Sequence, residues 1–189
     1  MSTPAQKVPR KANERLKMVE LRVQDYDLNK KSYYAAEKRL FELLGQNVPI
    51  DHVGSTAIPN IMGKNIIDIL IGAKDSAEFE RFREILINEG FYASTNSRTD
   101  IYQFFASRQG ETGEGDVHLH LVIIGTERYS EFLTLRNYLL AKPEEALAYS
   151  EHKKELLAQG ITDRKLYRAT KSKYVSALIE RAKQYESKK

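Results

Sequence analysis

Three short stretches carry residue types that could do chemistry together. In the first, His52-Val53-Gly54-Ser55-Thr56, an apolar run closes on a small-residue turn. Such a turn can offer backbone N–H groups and two hydroxyls to a phosphate, and a glycine there lets the backbone approach an anion closely. It can equally be a turn and nothing more. The second, "NIIDILI" at 65–71, sets Asp68 inside a β-branched run. On a strand, Ile66, Asp68 and Leu70 share one face, and Ile67, Ile69 and Ile71 share the other. The isoleucine face reads as core. A carboxylate opposite it must lie at a strand end, pair with Lys64 or an arginine, or hold a metal, because burying it alone is expensive. The third, "DVHLHLV" at 116–122, puts Asp116, His118 and His120 on one strand face. Two imidazoles at i and i+2 beside a carboxylate suit a divalent metal or a phosphate. An edge strand with a wet face would alternate in the same way. Late in the chain, Arg164, Arg168 and Lys171 recur at helical spacing, away from an apolar stripe of Val175, Leu178, Ile179 and Ala182. That row is either a solvated face or the cationic wall of an anion pocket.

The elements that must position these residues follow from periodicity. Residues 17–23 and 48–53 read as strands, and 29–45 as a helix with Tyr33, Ala36, Leu40, Leu43 and Leu44 on one face. Residues 65–71 form a strand, and 76–90 a helix opened by Ser76 and closed by Gly90. Two further strands, 91–95 and 101–108, flank a polar turn. A glycine-rich loop leads into the clearest alternating strand, 116–125. Beyond 126 the pattern is helical: 127–141, then a helix begun by Pro143 at the favoured first-turn position, then 163–187. We therefore expect an α+β core over 16–126, a disordered tail over 1–15, and a helical C-terminal extension over 127–189 that packs on the core.

The totals agree with one domain plus an appendage. The chain has 189 residues, enough apolar content at 41% to bury a core, and no cysteine, which excludes disulfides and thiolate metal sites. No apolar run reaches the ~20 residues of a membrane span, and the basic N-terminus lacks the apolar segment of a secretory signal. A cytoplasmic protein without membrane partners is the expectation. The net charge of +4 permits anionic ligands without itself arguing for nucleic acid.

Taken together, "HVGSTAIPNIMGKNIIDILI", "HLHLV", "FLTLRNYLLAKPEEALAYSEHKKELL" and "YRATKSKYVSALIERA" resemble the GrpB family, over roughly residues 18 to 185. A domain of this kind is also found attached to some dephospho-coenzyme A kinases. The family is placed in the nucleotidyltransferase superfamily, the fold of DNA polymerase beta. The resemblance therefore implies a nucleotidyltransferase-like mixed sheet with packed helices, and a nucleoside triphosphate or other phosphorylated small molecule as ligand. It also implies a divalent metal, Mg²⁺ or Mn²⁺. On that reading Gly54, Ser55 and Thr56 cradle phosphates, and Asp68 and Ser55 are catalytic. Asp68 holds the metal, and His118 and His120 complete the metal site or bind phosphate. Lys64, Arg168 and Lys171 offset charge that develops in transfer. Three departures stand out. The later strand offers Asp116, His118 and His120 where the superfamily has a third acidic group. Leu70 occupies the superfamily's second carboxylate position, and Lys64-Asn65 replaces the family's usual Lys-Pro. Two functions follow: nucleotidyl transfer to an acceptor, or a non-catalytic nucleotide- or coenzyme-binding module on the same fold.

Overall fold

The computed structural model describes residues 22–23, 25–107, 116–161 and 164–188. The expected N-terminal tail, the first part of the 17–23 strand and most of the glycine-rich loop lie outside these residues.

The first long helix, α1 (Tyr26–Leu44), starts earlier than the apolar period indicates. Asp25 caps it by accepting from the Leu28 N–H at 2.9 Å, which supplies one of the bonds a helix start lacks. The second, α2 (Ser76–Asn88), is capped by Asp75 rather than Ser76. Asp75 accepts from Glu78 N–H at 2.8 Å, and the Glu78 carboxylate accepts from Lys74 N–H at 2.9 Å. Before α1 lies the short strand β1 (Arg22–Val23). It pairs antiparallel with β3 (Met62–Gly63), a strand the sequence pattern did not announce.

Five strands form the main sheet: β2 (Ile50–Val53), β4 (Ile67–Ala73), β5 (Tyr92–Ala93), β6 (Tyr102–Ala106) and β7 (Val117–Ile123). Their order is β2-β4-β7-β6-β5. Only β4 and β7 run parallel, and the register sets Asp68 beside His118 and Leu70 beside His120. The sheet is therefore mixed, with one parallel and three antiparallel pairings.

Its two faces are chemically distinct. Ile67, Ile69, Ile71, Ala73, Phe105, Leu119 and Leu121 form the main core with α1 (Tyr33, Leu40, Leu44) and α2 (Phe79, Phe82, Leu86). The opposite face meets α3 (Glu127–Ala141). There Val53, Leu70 and Val122 are fully buried, with Tyr102, Tyr129, Phe132 and Leu133 packed against them. Gly72 makes this close approach feasible, since a Cβ there would lie 2.8 Å from Ile124 and 3.1 Å from Tyr129. Along β4 the face thus runs from a carboxylate at 68, through a buried leucine at 70, to a glycine against α3 at 72. The helix covers the far end of the strand and leaves the Asp68 end for other elements.

Those elements are α4 (Pro143–Ala158) and α5 (Arg164–Glu186). With α3 they enclose a second core of Tyr138, Leu139, Ala146, Tyr149, Leu178 and Ala182, and Ile58 and Ile61 enter it from the loop after the Gly54 turn. Burying two isoleucines contributes roughly 3–6 kcal/mol to holding the helices on that loop. Of the expected stripe on the last helix, Leu178 and Ala182 are fully buried and Val175 packs against them. Among the described residues, no helix is long and apolar enough to cross a membrane.

Candidate functional site

The site forms where β4, β7 and the turn after β2 converge. His118 Nδ1 lies 3.2 Å from Asp68 Oδ1, and His120 Nε2 lies 3.5 Å from the same oxygen. The parallel register makes this meeting unavoidable, because side chains paired across adjacent strands on one face stand side by side. Burial pushes the Asp68 carboxyl up, but the hydrogen bonds and charge of His118 and His120 more than offset it and hold it well below the usual carboxylate range. The His120 ring is oriented from behind, with its Nδ1 3.0 Å from the Tyr102 hydroxyl. Burial raises the Tyr102 phenol above its ordinary value. Phe104 packs edge-on against His118, with centroids 4.9 Å apart, and Phe132 against His120 at 4.7 Å.

Gly54 closes the site from the β2 side. Its backbone sits at φ 70, ψ −168, a combination open to glycine and strained for any other residue. A Cβ would also collide with the Asp68 carboxylate and come within 2.8 Å of the Asp68 Cβ. Gly54→Ala is therefore expected to lower stability by about 2–4 kcal/mol through strain and collision together. Urea unfolding measures this, and an unchanged midpoint would contradict the close approach. The next residues, Ser55–Ala57, form a single 3₁₀ turn. Ser55 is half-buried, but Thr56 is turned inward and is 1% exposed. Its hydroxyl lies 2.9 Å from His52 Nε2, so the structure gives it a role in fixing the turn rather than in facing a phosphate. His52 itself belongs to the core face, stacked on Tyr33 with centroids 4.6 Å apart. Burial lowers its pKa to about 4, so it is neutral at physiological pH.

Two lysines lie within electrostatic reach of the carboxylate. Lys171, on α5, was expected there. The oxygen of its hydrogen-bond partner Tyr149 raises its pKa against burial, with Asp68 and Tyr167 adding to the rise. Lys153, on α4, was not expected. It is 3% exposed, its Nζ donates to the Met62 carbonyl, and it lies over the Tyr149 ring at 4.4 Å. Both lysines feel the charge of Asp68. The other candidates are placed elsewhere. Arg168 is exposed on α5, and among the described residues no hydrogen bond or ion pair joins it to the cluster. Lys64 is half-buried in the segment between β3 and β4. Asp116, at the entrance to β7, is exposed and accepts from the Ser107 hydroxyl at 2.9 Å. Asn65 takes φ 55, a left-handed conformation that asparagine tolerates and proline cannot adopt. A proline at 65 could not follow this path into Asp68.

Asp68, His118 and His120 supply one carboxylate oxygen site and two imidazole nitrogens. As placed, both nitrogens point at the Asp68 oxygen, so the three form a hydrogen-bonded cluster. Among the described residues, no group of three or more His, Asp or Glu side chains is arranged to hold a metal ion. Leu70, at the position two residues after Asp68, is sealed under α3 and adds no donor to this set.

Comparison with known proteins agrees with this architecture. A family model described as GrpB protein matches residues 20–181. A UPF0157 protein of Streptomyces coelicolor is 27% identical over 165 residues, 87% of this chain and 85% of that one. The glutamate-rich protein GrpB of Alkalihalophilus pseudofirmus is 31% identical over 155 residues, 80% of this chain and 89% of that one. Among solved structures, conserved protein GrpB from Enterococcus faecalis superposes with a TM-score of 0.73 at 22% identity, covering 88% of this chain and 99% of that one. A distant likeness, TM-score 0.40 at 13% identity, links 64% of this chain to 42% of the MgGTP-bound Cid1 poly(U) polymerase.

Proposed function

The chain belongs to the GrpB family, and we propose that on this fold it binds a nucleoside triphosphate with one divalent cation in the cleft between Asp68 and the two lysines. The observation that carries this reading is the pairing of opposites. A carboxylate flanked by two histidines lies within electrostatic reach of the buried Lys153 and the half-buried Lys171, and all are carried by strands and helices rather than loops. Such a cleft complements a metal–polyphosphate: the carboxylate side attracts the cation and the lysine side the anion. Asp68, His118 and His120 would hold the ion, with Mn²⁺ better matched than Mg²⁺ to a set containing two imidazoles. When bound, the ion would neutralise phosphate charge. Gly54 and Ser55 would bring backbone and hydroxyl to the phosphates, and Lys171 with Lys153 would meet them from the helices. Thr56 supports the turn from behind.

Leu70 favours a second reading within the same site. Two-metal nucleotidyl transfer needs a second carboxylate to share the ions, and Leu70 instead belongs to the core beneath α3. Binding without turnover, as in a sensor or regulatory module, is consistent with that packing. Incubation with labelled ATP, GTP, CTP and UTP plus Mn²⁺ separates the readings. Pyrophosphate release or a labelled product supports transfer, and saturable binding without turnover supports the module. Failure of all four nucleotides to bind would overturn both.

A further inference from the structure

Lys153 is a buried lysine whose Nζ donates to a backbone carbonyl rather than to a carboxylate. It lies inside the interface between α4 and the β3 segment, one helical turn from Ser150. Those two side chains take both backbone groups of Met62: the Ser150 hydroxyl accepts from Met62 N–H at 2.9 Å, and Lys153 Nζ donates to the Met62 carbonyl. A lysine kept only for that carbonyl would be a costly choice, because an ammonium taken out of water without a carboxylate partner is strongly disfavoured. Among the described residues no carboxylate pairs with it. The groups facing it are Tyr149 on its own helix, Lys171 on α5, and Asp68 across the cleft on β4, with the neutral Met62 carbonyl from β3. The balance is unfavourable to charge: burial and the like-charged Lys171 outweigh Asp68 and bring its pKa down to about 7.

We propose that Lys153 is a proton-coupled anion anchor, which takes up a proton as a phosphate group enters the cleft beside Lys171. The inference rests on the reading that this cleft receives a phosphorylated ligand. A phosphate oxygen supplies the counter-charge that the empty interface lacks, so the charged form becomes the favoured one only in the complex. The coupling follows as linkage: a group with a higher pKa in the complex binds a proton together with the ligand. Phosphate binding is then tighter at pH 7 than at pH 9, because less free energy is spent charging the lysine. Lys171, whose ammonium is stabilised even without ligand, provides a constant attraction that the coupling modulates.

The test is calorimetric titration of inorganic tripolyphosphate into the full chain at pH 8, in two buffers of different ionisation enthalpy. A lysine with a pKa of about 7 is about one-tenth protonated at pH 8, so uptake of about 0.9 proton per ligand is expected. Lys153→Met should abolish the uptake and weaken binding about tenfold or more. Lys153→Arg, always charged, should bind without uptake. Binding by the unaltered chain without proton uptake, or uptake that persists in Lys153→Met, would overturn the anchor and leave the phosphate cleft standing. No binding of tripolyphosphate by any variant would overturn both. A thermal melt of each variant separates a structural loss at Met62 from a loss of binding, and Lys153→Met binding as tightly as the unaltered chain would assign Lys153 to Met62 alone.

Discussion

Asp68→Ala is expected to remove the divalent-ion dependence of nucleotide binding, a loss on the order of a hundredfold in affinity measured with Mn²⁺ present. Asp68 is the carboxylate of the cluster, and both histidines are turned to its Oδ1. Without it the imidazoles lose their shared acceptor, and the cleft keeps only cationic and neutral groups. The same change should leave metal-free tripolyphosphate binding intact or tighter, because a negative charge that opposes the phosphate has gone. That opposite sign distinguishes loss of a metal site from general damage. Stability changes with pH in a matching direction. The folded-state pKa of Asp68 lies below its unfolded value, so its contribution is present at neutral pH and is lost as pH falls below about 4. Asp68→Ala should therefore flatten the acid limb of the stability curve. Unchanged Mn²⁺-dependent affinity by calorimetry, with the fold intact, would contradict the assignment.

Leu70→Asp should destabilise the protein by more than about 4 kcal/mol and should not create a two-metal site. The resemblance to nucleotidyltransferases implies a carboxylate two residues after Asp68, so the substitution looks like a restoration on paper. The packing says otherwise. Leu70 is fully buried with Val53 and Val122, under Tyr102, Tyr129, Phe132 and Leu133. A carboxylate there would be shut away from water, and the neighbouring partners are engaged: His120 beside it is turned to Asp68, and Arg136 pairs with Asp51 at 2.8 Å. Guanidinium unfolding measures the loss. A stable Leu70→Asp variant that gained a second Mn²⁺ would show that α3 can yield, and would restore two-metal transfer as the function.

The site was legible in the sequence where it depended on period two. Asp68 opposite an isoleucine core, and two histidines on one face, are consequences of strand geometry alone. The meeting of those faces was a harder matter, because it depends on a parallel pairing of strands 50 residues apart, and only the tertiary fold sets that register. The helices were read closely, with 127–141 matching α3, since each has a strong apolar period or a proline start. The ends that moved did so because aspartates at 25 and 75 cap better than the residues the period favours. Lys153 was missed for a physical reason. In "SEHKKELL" it looks like one more surface charge, and only the docking of α4 on β3 buries it. Thr56 shows the converse: a hydroxyl in a turn reads as available, and the fold buries it against His52. Arg168 shares its helix with Lys171 but not its environment, since three residues of helix are enough to move from the cleft to solvent.

The central claim is that one ion and one phosphate chain share the cleft between Asp68 and the lysines. A crystal grown with Mn²⁺ and a non-hydrolysable ATP analogue tests it most directly, with the manganese located by its anomalous signal. The account predicts a single Mn²⁺ on Asp68 with His118 or His120, and phosphate oxygens on Lys171 and Lys153. Two ions at the site, or a nucleotide bound away from Asp68, would contradict it.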